Sequence, residues 1–152
     1  MKYEIDEMTK LMNKDDFYPK NFAYPFGDVS TELDKLLLTK FNSVRKIISP
    51  YGTKKLADMD ALYYKYDGIK LFYGTNIDKR NVNTIDDVLS GLKAAKKRRE
   101  ALSIYCHFIS KEPIPFVDDS YIIEADFFKI VELAKQLNLK FYTVAEVSRN
   151  TY

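Results

Sequence analysis

The chain holds one histidine, His107, and one cysteine, Cys106, adjacent at the end of the run Ser103-Ile104-Tyr105-Cys106. Histidine changes charge near neutral pH, so His107 is the first candidate for a general acid or base. The alternative is a structural histidine whose ring nitrogens are satisfied locally. Neighbouring strand residues face opposite sides, which argues against a Cys-His nucleophilic pair and makes Cys106 a small core residue. The second stretch with chemical potential is Tyr24-Pro25-Phe26-Gly27-Asp28. Proline fixes φ and glycine accepts positive φ, so a strand ending here turns sharply. Such a turn can aim backbone N–H groups at an oxyanion or a bound anion, or it can be a plain strand-to-helix connection. Asp118 and Asp119 form a third group, able to hold a cation or simply to cap a helix and face solvent. The sequence contains no P-loop, no glycine-rich dinucleotide turn and no G-x-S-x-G elbow.

Composition narrows these options. At 152 residues the chain suits one domain with a core that needs no disulfide, and one cysteine could not form an internal one. A net charge of +2 gives no electrostatic case for nucleic acid or an anionic membrane. One His and one Cys exclude metal sites built from several such ligands. Met1 to Lys14 is a charged amphipathic stretch rather than a signal peptide, and no run approaches the ~18 apolar residues of a membrane helix. The expectation is a cytoplasmic protein. Twelve tyrosines and ten phenylalanines without tryptophan either fill a core or line a groove.

Helices and short apolar strands alternate along the chain. Ile5, Met8, Leu11 and Met12 have helical spacing. The run Asn21–Tyr24 is stopped by Pro25-Phe26-Gly27, and a helix capped by Ser30 or Thr31 runs through Leu33, Leu36 and Leu37 to Lys40. Ser43–Ser49 reads as a strand ended by Pro50-Tyr51-Gly52, whereas 53–66 fits neither period cleanly. Ile69–Tyr73 is the next strand. Thr84 and Asp87 have capping-box spacing, ahead of a helix with Ile85, Val88, Leu89, Leu92 and Ala95 on one face. Lys96-Lys97-Arg98-Arg99 places cations at that helix's negative end. Leu102–His107 is a strand. Phe127, Ile130, Val131, Ala134 and Leu137 mark a last long helix ending near Asn138, and Lys140–Thr143 is a final strand. Five strands separated mostly by helices predict an α/β layer or barrel of parallel strands, whose active site lies at the strands' C-terminal ends. Both chemical stretches fall there.

Phe22-Ala23-Tyr24-Pro25-Phe26-Gly27-Asp28 resembles the third motif of the polysaccharide deacetylase (NodB-homology) family, and Ile104-Tyr105-Cys106-His107 resembles its late motif, a strand ending in His. Tyr121-Ile122-Ile123, then Phe127 to Leu139, then Lys140 to Val147 look like the family's closing helix and strand, so the resemblance runs from Tyr3 onward. It implies a partly closed, typically seven-stranded (β/α) barrel that hydrolyses N-acetyl or O-acetyl groups on sugar polymers. By position, the Phe26 N–H would contribute to an oxyanion hole that Tyr24, Pro25 and Gly27 shape. Asp28 would lie with them on the substrate side, and His107 would protonate the leaving amine. The family's first motif, an Asp-Asp pair carrying a metal ligand and the general base, has no counterpart here, nor has its His-x-x-x-His motif. The arginine that many members carry before the Pro is replaced by Ala23-Tyr24.

The expectation is therefore an incomplete (β/α) barrel of about five mainly parallel strands with flanking helices, residues 1–152 forming one truncated deacetylase-like domain. It is expected to be inactive alone and to hold no cofactor in this chain, where the family uses a divalent metal such as zinc. The expected partners are carbohydrate and, over an open sheet edge, a second copy or a complementary N-terminal fragment. Two alternatives stand beside it. One is a non-catalytic carbohydrate-binding or protein-interaction module with a Tyr-rich surface. The other is an enzyme of altered mechanism pairing His107 with Asp28 or Asp118.

Overall fold

The computed structural model describes residues 2–27, 30–48, 55–79, 84–115 and 120–149. The helical spacing at the N-terminus becomes α1 (Lys2–Lys14), which buries Ile5. Strand β1 (Asn21–Ala23) ends in a tight turn at Pro25–Gly27, followed by α2 (Thr31–Leu38). Ser30 caps α2, its hydroxyl accepting from the Leu33 N–H at 3.3 Å. Strand β2 spans Ser43–Ile47. Two 3₁₀ turns, Leu56–Asp58 and Asp60–Leu62, then lead into the two-residue strand β3 (Tyr63–Tyr64), which is why 53–66 matched no single period. Strand β4 (Leu71–Asn76) precedes α3 (Ile85–Arg98), β5 (Ala101–Leu102) and β6 (Ile104–Tyr105). The described chain closes with β7 (Ile109–Ser110), β8 (Ile122–Ile123), α4 (Glu124–Gln136) and α5 (Val144–Val147).

The result is a mixed α/β structure with a mainly parallel sheet and flanking helices. Strands β1, β2, β4 and β6 form a four-stranded sheet in chain order, each pair parallel, with Ala23 beside Arg45, Lys46 beside Tyr73 and Asn76 beside Tyr105. Strands β3 and β5 pair antiparallel, β7 and β8 parallel. The predicted strand Leu102–His107 is divided because it changes partner. Leu102 pairs with Tyr63, the Ser103 N–H donates to the Leu62 carbonyl at 3.0 Å, and Ile104 then pairs with Thr75.

Three expectations are corrected. The strand placed at Ile69–Tyr73 lies at Leu71–Asn76. The capping box at Thr84 is half made: Thr84 accepts from the Asp87 N–H at 3.3 Å, but the Asp87 carboxylate accepts instead from the Leu56 N–H at 3.1 Å. Lys140–Thr143 forms no strand. The Thr143 N–H goes to Glu146 Oε2 at 2.6 Å in the capping box that opens α5, while Tyr142 packs its ring on Tyr66. A strand also needs a neighbour's free edge, and none of the described strands pairs with this segment. The turn Pro50-Tyr51-Gly52 lies outside the described residues.

Alternation assigns the sheet's faces. Val44 meets Ile5, Tyr24, Leu37 and Phe41 on the side of α1 and α2. The register carries that same face through Tyr73 and Thr75 to Ile104, which packs against the larger Leu56, Leu62, Val88, Leu92 and Ile130 core around α3 and α4. On the α2 side Lys46 is buried in an ion pair with buried Asp34, which also accepts from the Tyr24 hydroxyl at 2.8 Å. Burial first, and the Asp34 carboxylate second, hold the Tyr24 hydroxyl far above its ordinary range. Removing one partner of a buried ion pair strands the other charge, a loss of about 3 kcal/mol or more. Asp34→Ala should therefore lower the urea-unfolding free energy by about 3 kcal/mol, and adding Lys46→Met should restore much of it. Equal stability of Asp34→Ala and the parent would contradict this placement.

Candidate active site

Because the four sheet strands are parallel, their C-terminal ends fall on one edge of the sheet. The ladder runs a residue past each strand. The Tyr24 N–H donates to the Arg45 carbonyl at 3.0 Å, Ile48 to Gly74 at 3.0 Å and Ile77 to Tyr105 at 2.9 Å. Tyr24 to Gly27, Ile48, Asp78 and His107 are thereby tied to a common edge, as the chain order alone requires.

There Asp78 and His107 meet. Asp78, fully buried, accepts from the His107 backbone N–H at 3.0 Å through Oδ1 and lies 2.6 Å from the ring Nδ1 through Oδ2. A carboxylate only accepts, so the geometry assigns the hydrogen to Nδ1 and leaves Nε2 as the nitrogen available to a ligand. The His107 side chain is 41% exposed, unlike the carboxylate that holds it. The Tyr105 ring stands edge-on to the imidazole, 5.7 Å between centroids. Cys106 packs partly against the main core, and burial followed by the Asp78 charge pushes its thiol up, away from a nucleophilic thiolate.

The turn after β1 is anchored below and strained at its tip. Tyr24 is buried and tied to Asp34, whereas the Phe26 side chain is fully exposed and its φ is +55°. Gly27, at φ +78°, passes so close to β2 that a Cβ there would lie 2.9 Å from the Ile47 Cβ. That close approach requires glycine. A non-glycine residue held in the left-handed region stores roughly 1–3 kcal/mol, which the Tyr24 anchor and the Ile47 contact must offset.

The structure brings Tyr24, Pro25, Phe26 and Gly27 together at the end of β1, and His107 at the end of β6. It does not put the two groups side by side, since they are three interstrand spacings apart, about 14 Å along the sheet. Asp28, Asp118 and Asp119 lie outside the described residues. Among the described residues no three His, Cys, Asp or Glu side chains gather, so Nε2 of His107, which the Asp78 contact at Nδ1 leaves open, belongs to no three-ligand set. These residues do not fit the divalent metal that the resemblance implies. Nor, among them, is any helix long and apolar enough to cross a membrane.

Sequence reasoning missed Asp78 because the strand before it was read as ending at Tyr73. Carrying the ladder through Gly74-Thr75-Asn76 would have set Asp78 on the site edge, two residues past β4. No family model, curated protein or solved structure matches the chain.

Two outcomes follow from this geometry. Asp78→Ala should cost about 2 kcal/mol in chemical denaturation, because both hydrogen bonds end on a charged group, and Asp78→Asn should cost less. A neutral Asp78→Ala would mean that the carboxylate does not hold the imidazole. Phe26→Gly should raise stability by up to about 1 kcal/mol, since it relieves positive φ and gives up an exposed ring. A loss of that size would show that the Phe26 side chain carries a contact.

Proposed function

We propose that this chain carries the acid and oxyanion part of a polysaccharide-deacetylase-like domain acting on acetyl groups of carbohydrate, and is catalytically silent without a further polypeptide segment. The observation that carries the reading is a buried aspartate gripping the sole histidine, Asp78 on His107, at the edge where the parallel strands end. That is where a parallel α/β sheet positions its chemistry. In its imidazolium form His107 carries hydrogen on both ring nitrogens, and once a nucleophile has added to the acetyl carbonyl it passes the Nε2 proton to the departing amine, leaving the neutral Nδ1–H ring on Asp78. The Phe26 N–H, presented by the strained turn, donates to the oxyanion, with Tyr24, Pro25 and Gly27 shaping that turn. Asp28 belongs to the substrate side of this scheme by resemblance. The attacking water and its base come from outside the described residues, and no step here runs through a metal.

One acetyl group can reach both the turn and the imidazole only if the sheet curls toward closure. We therefore take it as part of an incomplete (β/α) barrel. Among the described residues strand β1 pairs with β2 alone, and Asn21 and Ala23 are exposed on it. An uncovered edge of this kind recruits another strand, from a second copy or from a complementary N-terminal segment. A non-catalytic carbohydrate-binding module is the second reading, favoured by Phe26 and Phe108, two exposed aromatic rings at the same edge of the sheet.

Acetate release from N-acetylglucosamine oligomers tests the proposal. The isolated chain should release none. Adding a polypeptide that carries the Asp-Asp and His-x-x-x-His motifs should start release, and His107→Ala should then lower it at least about a hundredfold. Release by the isolated chain that survives His107→Ala would contradict the proposal. Oligomer binding without release in either mixture would favour the binding module.

A further inference from the structure

Arg45 and Lys46 are consecutive on β2 and face opposite sides of the sheet. Lys46 is neutralised by Asp34 on the α2 side. Arg45 is not neutralised: among the described residues no carboxylate lies within ion-pair distance of it, and its Nη1 is buried without a hydrogen-bond partner. A desolvated guanidinium nitrogen with no acceptor is costly, so its retention calls for an explanation.

Its position supplies one. The guanidinium carbon lies 4.7 Å from the centre of the Tyr105 ring, and that ring is the one set against His107. Gly74, on the strand between, makes this reach possible. A Cβ there would lie 3.2 Å from Ser103 Oγ, 3.4 Å from the Tyr105 ring and 3.7 Å from Arg45 Cδ. The aromatic ring under the guanidinium holds it in place with Nη1 turned into the protein, and leaves Nε and Nη2, which lie in the guanidinium plane, as the edge that meets a ligand. A planar fork of donors matches a carboxylate, two N–H groups to two oxygens.

We infer that Arg45 binds a carboxylate on the ligand of this site, so that the site selects a sugar bearing a carboxylate over its neutral counterpart. The sugar in this statement rests on the function proposed above; the carboxylate rests on Arg45. Tyr105 is the positioning residue, its ring in contact with both the guanidinium and the His107 imidazole.

The sole histidine gives a single Hε1 signal in the proton NMR spectrum, a reporter at the site. Glucuronate should move that signal saturably in the intact chain, and glucose at matched ionic strength should not. Arg45→Gln should weaken the glucuronate effect at least about tenfold, with Arg45→Lys, which keeps the charge but not the fork, in between. An unchanged circular dichroism spectrum for Arg45→Lys shows that the comparison concerns binding rather than folding. Equal effects of glucuronate and glucose, both indifferent to Arg45→Gln, would overturn the inference while leaving the carbohydrate reading intact. No response to glucuronate, or a tighter response to inorganic phosphate than to glucuronate, would overturn it as well.

Discussion

Parallel pairing in chain order governs this structure. When β1, β2, β4 and β6 all run the same way, each must return to the same starting edge before the next begins, so their C-terminal ends accumulate opposite. Tyr24 to Gly27, Asp78 and His107 share an edge for that reason alone, although 83 positions of sequence separate Tyr24 from His107. The same pairing dictates alternation. Each strand turns one set of side chains toward helices and the other toward the opposite face of the sheet. Each polar group it buries must therefore find a partner, whether on its own face or in a ligand.

Strand β2 shows how that demand is met twice with different results. Lys46 meets Asp34 and, through it, Tyr24, so the charge also fixes the residue from which the strained turn departs. Arg45 meets an aromatic face instead of a carboxylate and keeps hydrogen-bonding capacity in reserve. A third polar group, Asp78, spends both oxygens on His107. The two pairs belong to the fold. The unpaired guanidinium belongs to what the fold binds.

What was legible in the sequence was what local physics decides. The Ser30 cap and the amphipathic faces of α1 and α3 depend on neighbours within a turn or two, and they stand where periodicity places them. The positions of the Tyr24–Gly27 turn and of His107 at strand ends were legible for the same reason. Lys140–Thr143 was not, because its aromatic and β-branched composition describes what a strand looks like but not whether a neighbour's edge is free. The local signal that prevailed there, Thr143 followed three residues later by Glu146, was present in the sequence. Asp78 was hidden because the expected strand Ile69–Tyr73 stops short of Gly74, which serves as clearance for Arg45 and Tyr105. The cations in the last turn of α3 were likewise legible only as dipole partners. Arg98 does more, bonding Asp60 at 2.6 Å and the Ala57 carbonyl at 2.7 Å and stacking on Tyr63.

The central claim is that Asp78 fixes the imidazole with Nδ1 protonated and Nε2 free to meet a substrate. Nitrogen-15 NMR of the single histidine, at a pH where the ring is neutral, reads the tautomer directly. The account predicts that the Nδ1–H tautomer dominates and that Asp78→Asn redistributes the hydrogen between the two nitrogens. A dominant Nε2–H tautomer in the intact chain, unchanged by Asp78→Asn, would contradict it.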